Sequence, residues 1–280
     1  VGAELADRLS LPGGLVGARA GPLEQEIDAG WLAAYRGALG QPAVPAHPVF
    51  PVCYEWPAIL ALRAALPPEV ALRGVHATHD LRLQRLPRAG DRLRTTATVV
   101  RVAPRPSGAL VVMHLDTVDA AGAPVSATDY GTVYRGVACE AVGPDSVLPP
   151  PGASPGYGWS ATVGVRADLA RTYSEASRIW NPIHTDPAVA RAAGLPGALL
   201  HGTATLALAV SAVLGREAAG TPARVRRVTA RFGARVYMPS TLDVSGLGAH
   251  EAGGGRRVAF EVRTPDGGLA IRDGGLLLAR

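Results

Sequence analysis

Residues 203–214, TATLALAVSAVL, read as a helix with no polar side. A helix that is apolar around its whole circumference cannot lie on a surface and has to be wrapped. The same holds for Pro51–Leu66, PVCYEWPAILALRAAL, where Pro57 suits the first turn of a helix and the residues after it are apolar nearly all round. Each stretch is followed by four strand candidates rich in Val, Thr, Leu and Tyr. The first set covers about 71–86, 91–103, 109–119 and 125–136, with turn signals at Arg88-Ala-Gly-Asp, Pro104-Arg-Pro-Ser-Gly and Ala120-Ala-Gly-Ala-Pro. The second covers about 223–237, 241–250, 256–264 and 269–279. A buried helix wrapped by an antiparallel sheet, made twice, satisfies both sets. Two such sheets can join edge to edge, which removes an exposed edge from each.

The remaining segments fit around this plan. A short helical candidate, Ala29 to Arg36, lies among Gly and Pro in the first 45 residues. Residues 143–158, GPDSVLPPPGASPGYG, cannot continue a helix or a central strand and read as a linker. The expected division is therefore 1–142, a linker at 143–158, and 159–280. In the last segment a short strand, Ala161 to Val165, leads to a helical segment from about Ala167 to Ser177. A short helix follows from Pro187 to Ala193, then the longer helix starting near His201.

With 280 residues and 48% hydrophobic content the chain buries a substantial core, and extended disorder is excluded. Every basic residue is Arg, and the net charge is +5. The arginines are scattered, with one modest cluster at Arg224, Arg226, Arg227, Arg231 and Arg235, and aromatics are not interleaved among them as a single-strand binder would need, which argues against nucleic acid. A basic rim suits the phosphates of a nucleotide-tailed cofactor or an acidic carrier protein. Cys53 and Cys139 are far apart and lack metal spacing, so no metal site and a reduced, cytoplasmic compartment are expected. The first residues lack a signal-peptide pattern. No apolar run reaches membrane-spanning length, since Ala198–Leu214 is broken by His201, Gly202 and small polar residues.

Candidate chemistry is concentrated in Tyr173–Leu206, YSEASRIWNPIHTDPAVARAAGLPGALLHGTATL. His184 is bracketed by Pro182 and Pro187, which restrict the backbone on both sides, and Asp186 can cap the helix starting at Pro187. A histidine held this way suits proton transfer near neutral pH, or it satisfies backbone groups around a tight turn. At His201-Gly202 a helix begins. Its free N–H groups and positive dipole end match an acyl thioester oxygen that gains negative charge. Close packing of sheet on helix is an equally simple use of Gly202, and a structural role is favoured for His201.

This run resembles the hydratase motif of the MaoC-like family of (R)-specific enoyl-CoA hydratases and dehydratases. The matched features are the Tyr and Ser before the run, Asn181-Pro-Ile-His184, Asp186, Ala190, Gly194 and His201-Gly202-Thr203. The resemblance implies an α+β double hotdog, with the motif in one half only. It also implies a lyase that adds or removes water at the 2,3 position of an enoyl or 3-hydroxyacyl thioester of CoA or acyl carrier protein. His184 would be the catalytic acid–base, Asn181 would hold the loop or the water, and the Gly202 N–H would face the thioester oxygen. Ile179, Trp180, His201 and Thr203 would line the substrate. No cofactor is needed, and pairing into a homodimer is common for the fold.

One departure stands out. The family has a catalytic Asp five residues before this His, and here that position is Ile179. His184 then acts alone, or another carboxylate replaces the Asp, with Glu175, Asp186, Asp80, Asp91 and Asp116 as candidates. The third option is altered chemistry: a dehydratase or cyclase of polyketide-like substrates, with water excluded by Ile179 and Trp180. A non-catalytic partner for another hotdog subunit is a further reading. The first half has lost the motif. His76, His79 and His114 lie in its strands, where alternation places them at surface or hydrogen-bonded positions. By resemblance, that half houses the acyl tail.

Overall fold

The computed structural model describes residues 9–41, 45–144, 158–252 and 254–280. Ten strands form one antiparallel sheet: β1 Arg19–Glu26, β2 Gly74–Leu83, β3 Arg92–Arg105, β4 Gly108–Val118, β5 Pro124–Arg135, β6 Trp159–Val165, β7 Val225–Phe232, β8 Ser240–Ala252, β9 Gly255–Arg263 and β10 Leu269–Ala279. Their order is β1-β3-β4-β5-β2-β7-β10-β9-β8-β6. The second five strands mirror the first five about the β2–β7 seam, so the duplication read from the sequence is present in the topology. The helices are α1 Ala29–Ala38, α2 Pro51–Arg63, α3 Pro68–Ala71, α4 Leu169–Ser177, α5 Pro182–Thr185, α6 Pro187–Ala192 and α7 Gly202–Glu217. This is the α+β double hotdog.

The two all-apolar helices are buried as their composition requires. On α7, every residue from Thr203 to Val210 is buried, as are Val213 and Leu214. On α2 the buried set includes Val52, Cys53, Tyr54, Glu55, Ala58, Ile59 and Leu62. At roughly 25 cal/mol per Å² of apolar surface removed from water, these two helices anchor the core.

Three expectations need correction. Helix α2 starts at Pro51, so Pro57 lies inside it rather than in its first turn. Each half also opens with a strand that precedes its helices. β6 was foreseen in part; β1 was not, because RAGPLEQE is polar and carries Gly21-Pro22. A proline is tolerated there because β1 is an edge strand, paired only with β3, with a register shift between Ala20 and Leu23. Finally, the Asn181–His184 run is itself a helical turn, α5. The expected linker at 143–158 falls almost wholly on residues outside those described.

The seam is antiparallel, with Thr78 opposite Arg231 and Arg82 opposite Arg227. On its outer face, Asp80 is fully buried and accepts two 2.7 Å bonds from Arg227 and one 3.0 Å bond from Arg82. Arg82 also reaches Asp129 at 3.1 Å, and Asp129 bonds His114 Nδ1 at 2.6 Å. Two arginines that would repel across the strands are thus held by two carboxylates. Among the described residues, no helix is long and apolar enough to cross a membrane.

Candidate active site

Helix α4 ends at Arg178, whose φ of 59° is left-handed. A non-glycine residue holds that conformation only where its surroundings fix it. Here the guanidinium lies 3.8 Å from the centre of the Trp31 ring and 3.4 Å from Asp28, both from the N-terminal half. Trp31 in turn donates from Nε1 to the Ala176 carbonyl at 2.9 Å. The reversal sends Ile179 into the core at 5% exposure and leaves Trp180 outside at 59%.

Asn181 then caps α5, its Oδ1 accepting from the Ile183 N–H at 3.3 Å. Asp186 caps α6, accepting from Ala188 and Val189 N–H groups. Between these caps, His184 is fixed by its ring: Nδ1 lies 2.8 Å from the Leu199 carbonyl. Leu199 is held by the bond from its own N–H to the Ile183 carbonyl at 3.3 Å, and Leu200 N–H donates to Val236 at 2.9 Å. A carbonyl can only accept, so Nδ1 carries the proton and Nε2 keeps its lone pair. Burial pushes the His184 pKa below its usual value, with the Leu199 bond opposing. The ring is a neutral base.

His201 stacks on His184 with ring centroids 3.7 Å apart. It is 3% exposed, and its Nε2 lies 3.1 Å from the Ser174 hydroxyl. Burial, and then the neighbouring His184, push its pKa well down. Nδ1 makes no well-formed bond, although the Ile179 backbone lies alongside. His201 thus packs against the His184 ring. Tyr173 continues the layer: its ring is 5.0 Å from His201, and its hydroxyl is 3.3 Å from that of Tyr35. Thr203, expected to line the substrate, is buried with its side chain against Tyr173.

Among the described residues, no side chain caps α7. A Cβ on Gly202 would stand 3.2 Å from the Phe232 ring of β7, so close packing also accounts for the glycine. The start of α7 therefore lies one residue from the His201 ring that stacks on His184.

None of the five carboxylates proposed from the sequence bonds His184. Glu175 is exposed on α4. Asp186 is the α6 cap, Asp80 belongs to the seam, and Asp91 pairs with Arg85 at 2.7 Å. Asp116 is 67% exposed beside His114. The arginine cluster is largely structural: Arg227 holds Asp80, Arg231 pairs with Asp273, and Arg224 and Arg226 bond carbonyls.

Two groups escaped the sequence reading. His79 is not at the surface but fully buried, and among the described residues neither ring nitrogen has a hydrogen-bond partner. Glu55 is fully buried on α2, and no motif marked it. Its place within PVCYEWPAIL, a charged residue in an otherwise apolar helix, was the available signal.

The model of the MaoC-like domain matches residues 150–264, which contain His184, His201 and Gly202. These residues form a MaoC-like domain. The chain is 38% identical over 63 residues to the peroxisomal enoyl-CoA hydratase 2 of Arabidopsis thaliana, a match covering 22% of this chain and 20% of that one. It is 32% identical over 167 residues to the peroxisomal multifunctional enzyme type 2 of Drosophila melanogaster, covering 57% and 27%. The matches thus span about a fifth to a quarter of these relatives' own length. A MaoC-like dehydratase from Phytophthora capsici shares the fold at a TM-score of 0.83 and 20% identity, covering 95% of this chain and 96% of that one. The MaoC-like domain therefore sits in a double hotdog complete over both halves.

Proposed function

We propose that the protein is a hydro-lyase that adds water to, or removes it from, the 2,3 position of an enoyl or 3-hydroxyacyl thioester. The observation that carries this reading is the bond from His184 Nδ1 to Leu199, which leaves a neutral Nε2 lone pair beside the uncapped start of α7. In hydration, Nε2 takes a proton from water as the water oxygen bonds to C3. The C2–C3 π electrons move toward the thioester, and its oxygen gains negative charge. The Gly202 N–H and the helix dipole stabilise that charge. The imidazolium then returns its proton to C2. One group handles both protons, so oxygen and hydrogen add to the same face. Dehydration is the reverse.

Asn181 holds the loop and orients the water. Trp180 offers the substrate an exposed apolar face, Ile179 backs it from the core, and His201 keeps the His184 ring in place. The thioester itself stabilises the enolate-like charge, so no metal or redox cofactor is required. The chain divides at 143–158, and the N-terminal half receives the acyl tail. Substrate arrives on CoA or on a carrier protein, with CoA favoured by the likeness to the Arabidopsis enoyl-CoA hydratase. The buried Ile179 keeps a second reading open, in which water is excluded and a tethered hydroxyl closes a ring.

Incubation with crotonyl-CoA and longer trans-2-enoyl-CoAs, following loss of the conjugated thioester absorbance, tests the first reading. Turnover is expected with at least one chain length. No turnover at any length, on CoA or carrier protein, overturns it.

A further inference from the structure

Glu55 and His79 take no part in the reaction above. Glu55 Oε1 accepts from the Thr128 hydroxyl at 2.7 Å and from Ser126 at 3.3 Å, while Oε2 has no partner among the described residues. His79 has none at either ring nitrogen. Both face inward. His79 shares its side of β2 with the core residues Leu81 and Leu83, and these three stand opposite Tyr130, Thr128 and Ser126 on β5. Glu55 lies over one end of this row. At the other end, His79 is 5.5 Å from His76, which stacks on Tyr130 at 3.9 Å and lies 4.5 Å from Phe232. Phe232 is the ring packed against Gly202. The row therefore runs from the start of α7 into the N-terminal half.

Buried polar atoms without partners are rare in native proteins and call for a use. A plain alkyl tail would leave all three unmet. We infer that the N-terminal half binds an acyl chain carrying a ketone or hydroxyl oxygen, which Glu55 and His79 recognise by hydrogen bonds. This rests on the thioester reading and names its substrate class. Oε1 already takes two donors, so a proton on Glu55 sits at Oε2 and can be donated. Burial pushes this carboxyl up to about 7, which populates that form near neutrality. Burial pushes His79 down to about 4, so its ring is neutral, with one N–H and one lone pair. A ketone meets the donors; a hydroxyl meets donor and acceptor alike. Neither group is a cation at neutral pH, so an anionic tail is not matched.

The test compares trans-2-decenoyl-CoA with analogues bearing an oxo or hydroxyl group at successive carbons from C6 to C9. Kd is measured in parallel for the saturated counterparts, which cannot react. At least one oxygenated chain should exceed the alkyl chain about tenfold in kcat/KM and in affinity. His79→Leu and Glu55→Leu should bring that ratio near one, while Glu55→Gln keeps part of it. Equal or better handling of the alkyl chain by the wild type overturns the inference, whether or not the variants fold. Oxygen-selective binding without turnover on any chain would sustain it while sinking the hydratase reading; turnover without selectivity would do the opposite.

Discussion

Ile179 and His184 lie five residues apart and are placed by opposite means. The left-handed turn at Arg178 drives Ile179 into apolar packing, while two caps and a carbonyl hold His184 with one nitrogen bare. Because burial depresses the His184 pKa, the base form persists below 6.5 and is lost only as pH falls further. The kcat/KM profile should therefore show an acid limb with an apparent pKa below 6.5. A limb at 7 or above would mean that another group supplies the base. Ile179→Asp should raise water addition to simple enoyl thioesters roughly tenfold. It should also lower stability by about 1–3 kcal/mol, because it buries a carboxylate. Flat rates with intact binding would show that Ile179 does not limit hydration.

Among the elements, the β2–β7 seam joins the two halves, and Asp80 is its keystone. Asp80→Asn leaves Arg82 and Arg227 opposite one another with half their counter-charge. The expected cost is about 3 kcal/mol, read as a fall in the denaturant midpoint at unchanged m. A change below about 0.5 kcal/mol would make the network ornamental. The elements were legible in the sequence where composition forces burial: α2, α7 and the eight strands wrapped around them. β1 was not, since an edge strand needs neither alternation nor freedom from proline. The geometry of the candidate site was legible as far as Asn181, His184 and Asp186, because capping is local. The ring stack of His184 on His201, the Leu199 carbonyl and the inward turn of His79 depend on contacts between distant segments, which no local pattern encodes.

The whole molecule carries several histidines in a neutral, buried state. Burial pushes His47 down to about 3 and His79 to about 4, and it lowers His76 and His201 as well. The unfolded chain binds protons at these sites below about 6.5 and the folded chain does not, so stability falls as pH drops through that value. His47 and His79 each contribute a loss of about 1.4 kcal/mol at pH 5.5, and His76 and His201 add to it in the same direction. Glu55 opposes them. Its folded pKa of about 7 lies above the ordinary carboxyl value of 4.5, so the folded state gains its proton first as pH falls. His184 is lowered by burial as well, whereas His114 is raised by its bond to Asp129 and sides with Glu55. Five groups against two leave a net loss, and Tm should be several degrees lower at pH 5.5 than at pH 7.5. A Tm that is flat or higher at pH 5.5 would show that these rings are solvated.

In the proposed reaction a single neutral imidazole, held by Leu199 beside the start of α7, performs the acid–base chemistry. This role is tested most directly by comparing wild type and His184→Ala on the best enoyl-CoA substrate, with circular dichroism as the fold control. The variant should lose about 10²–10⁴-fold in kcat with the fold retained. Activity within a few-fold of wild type would contradict it.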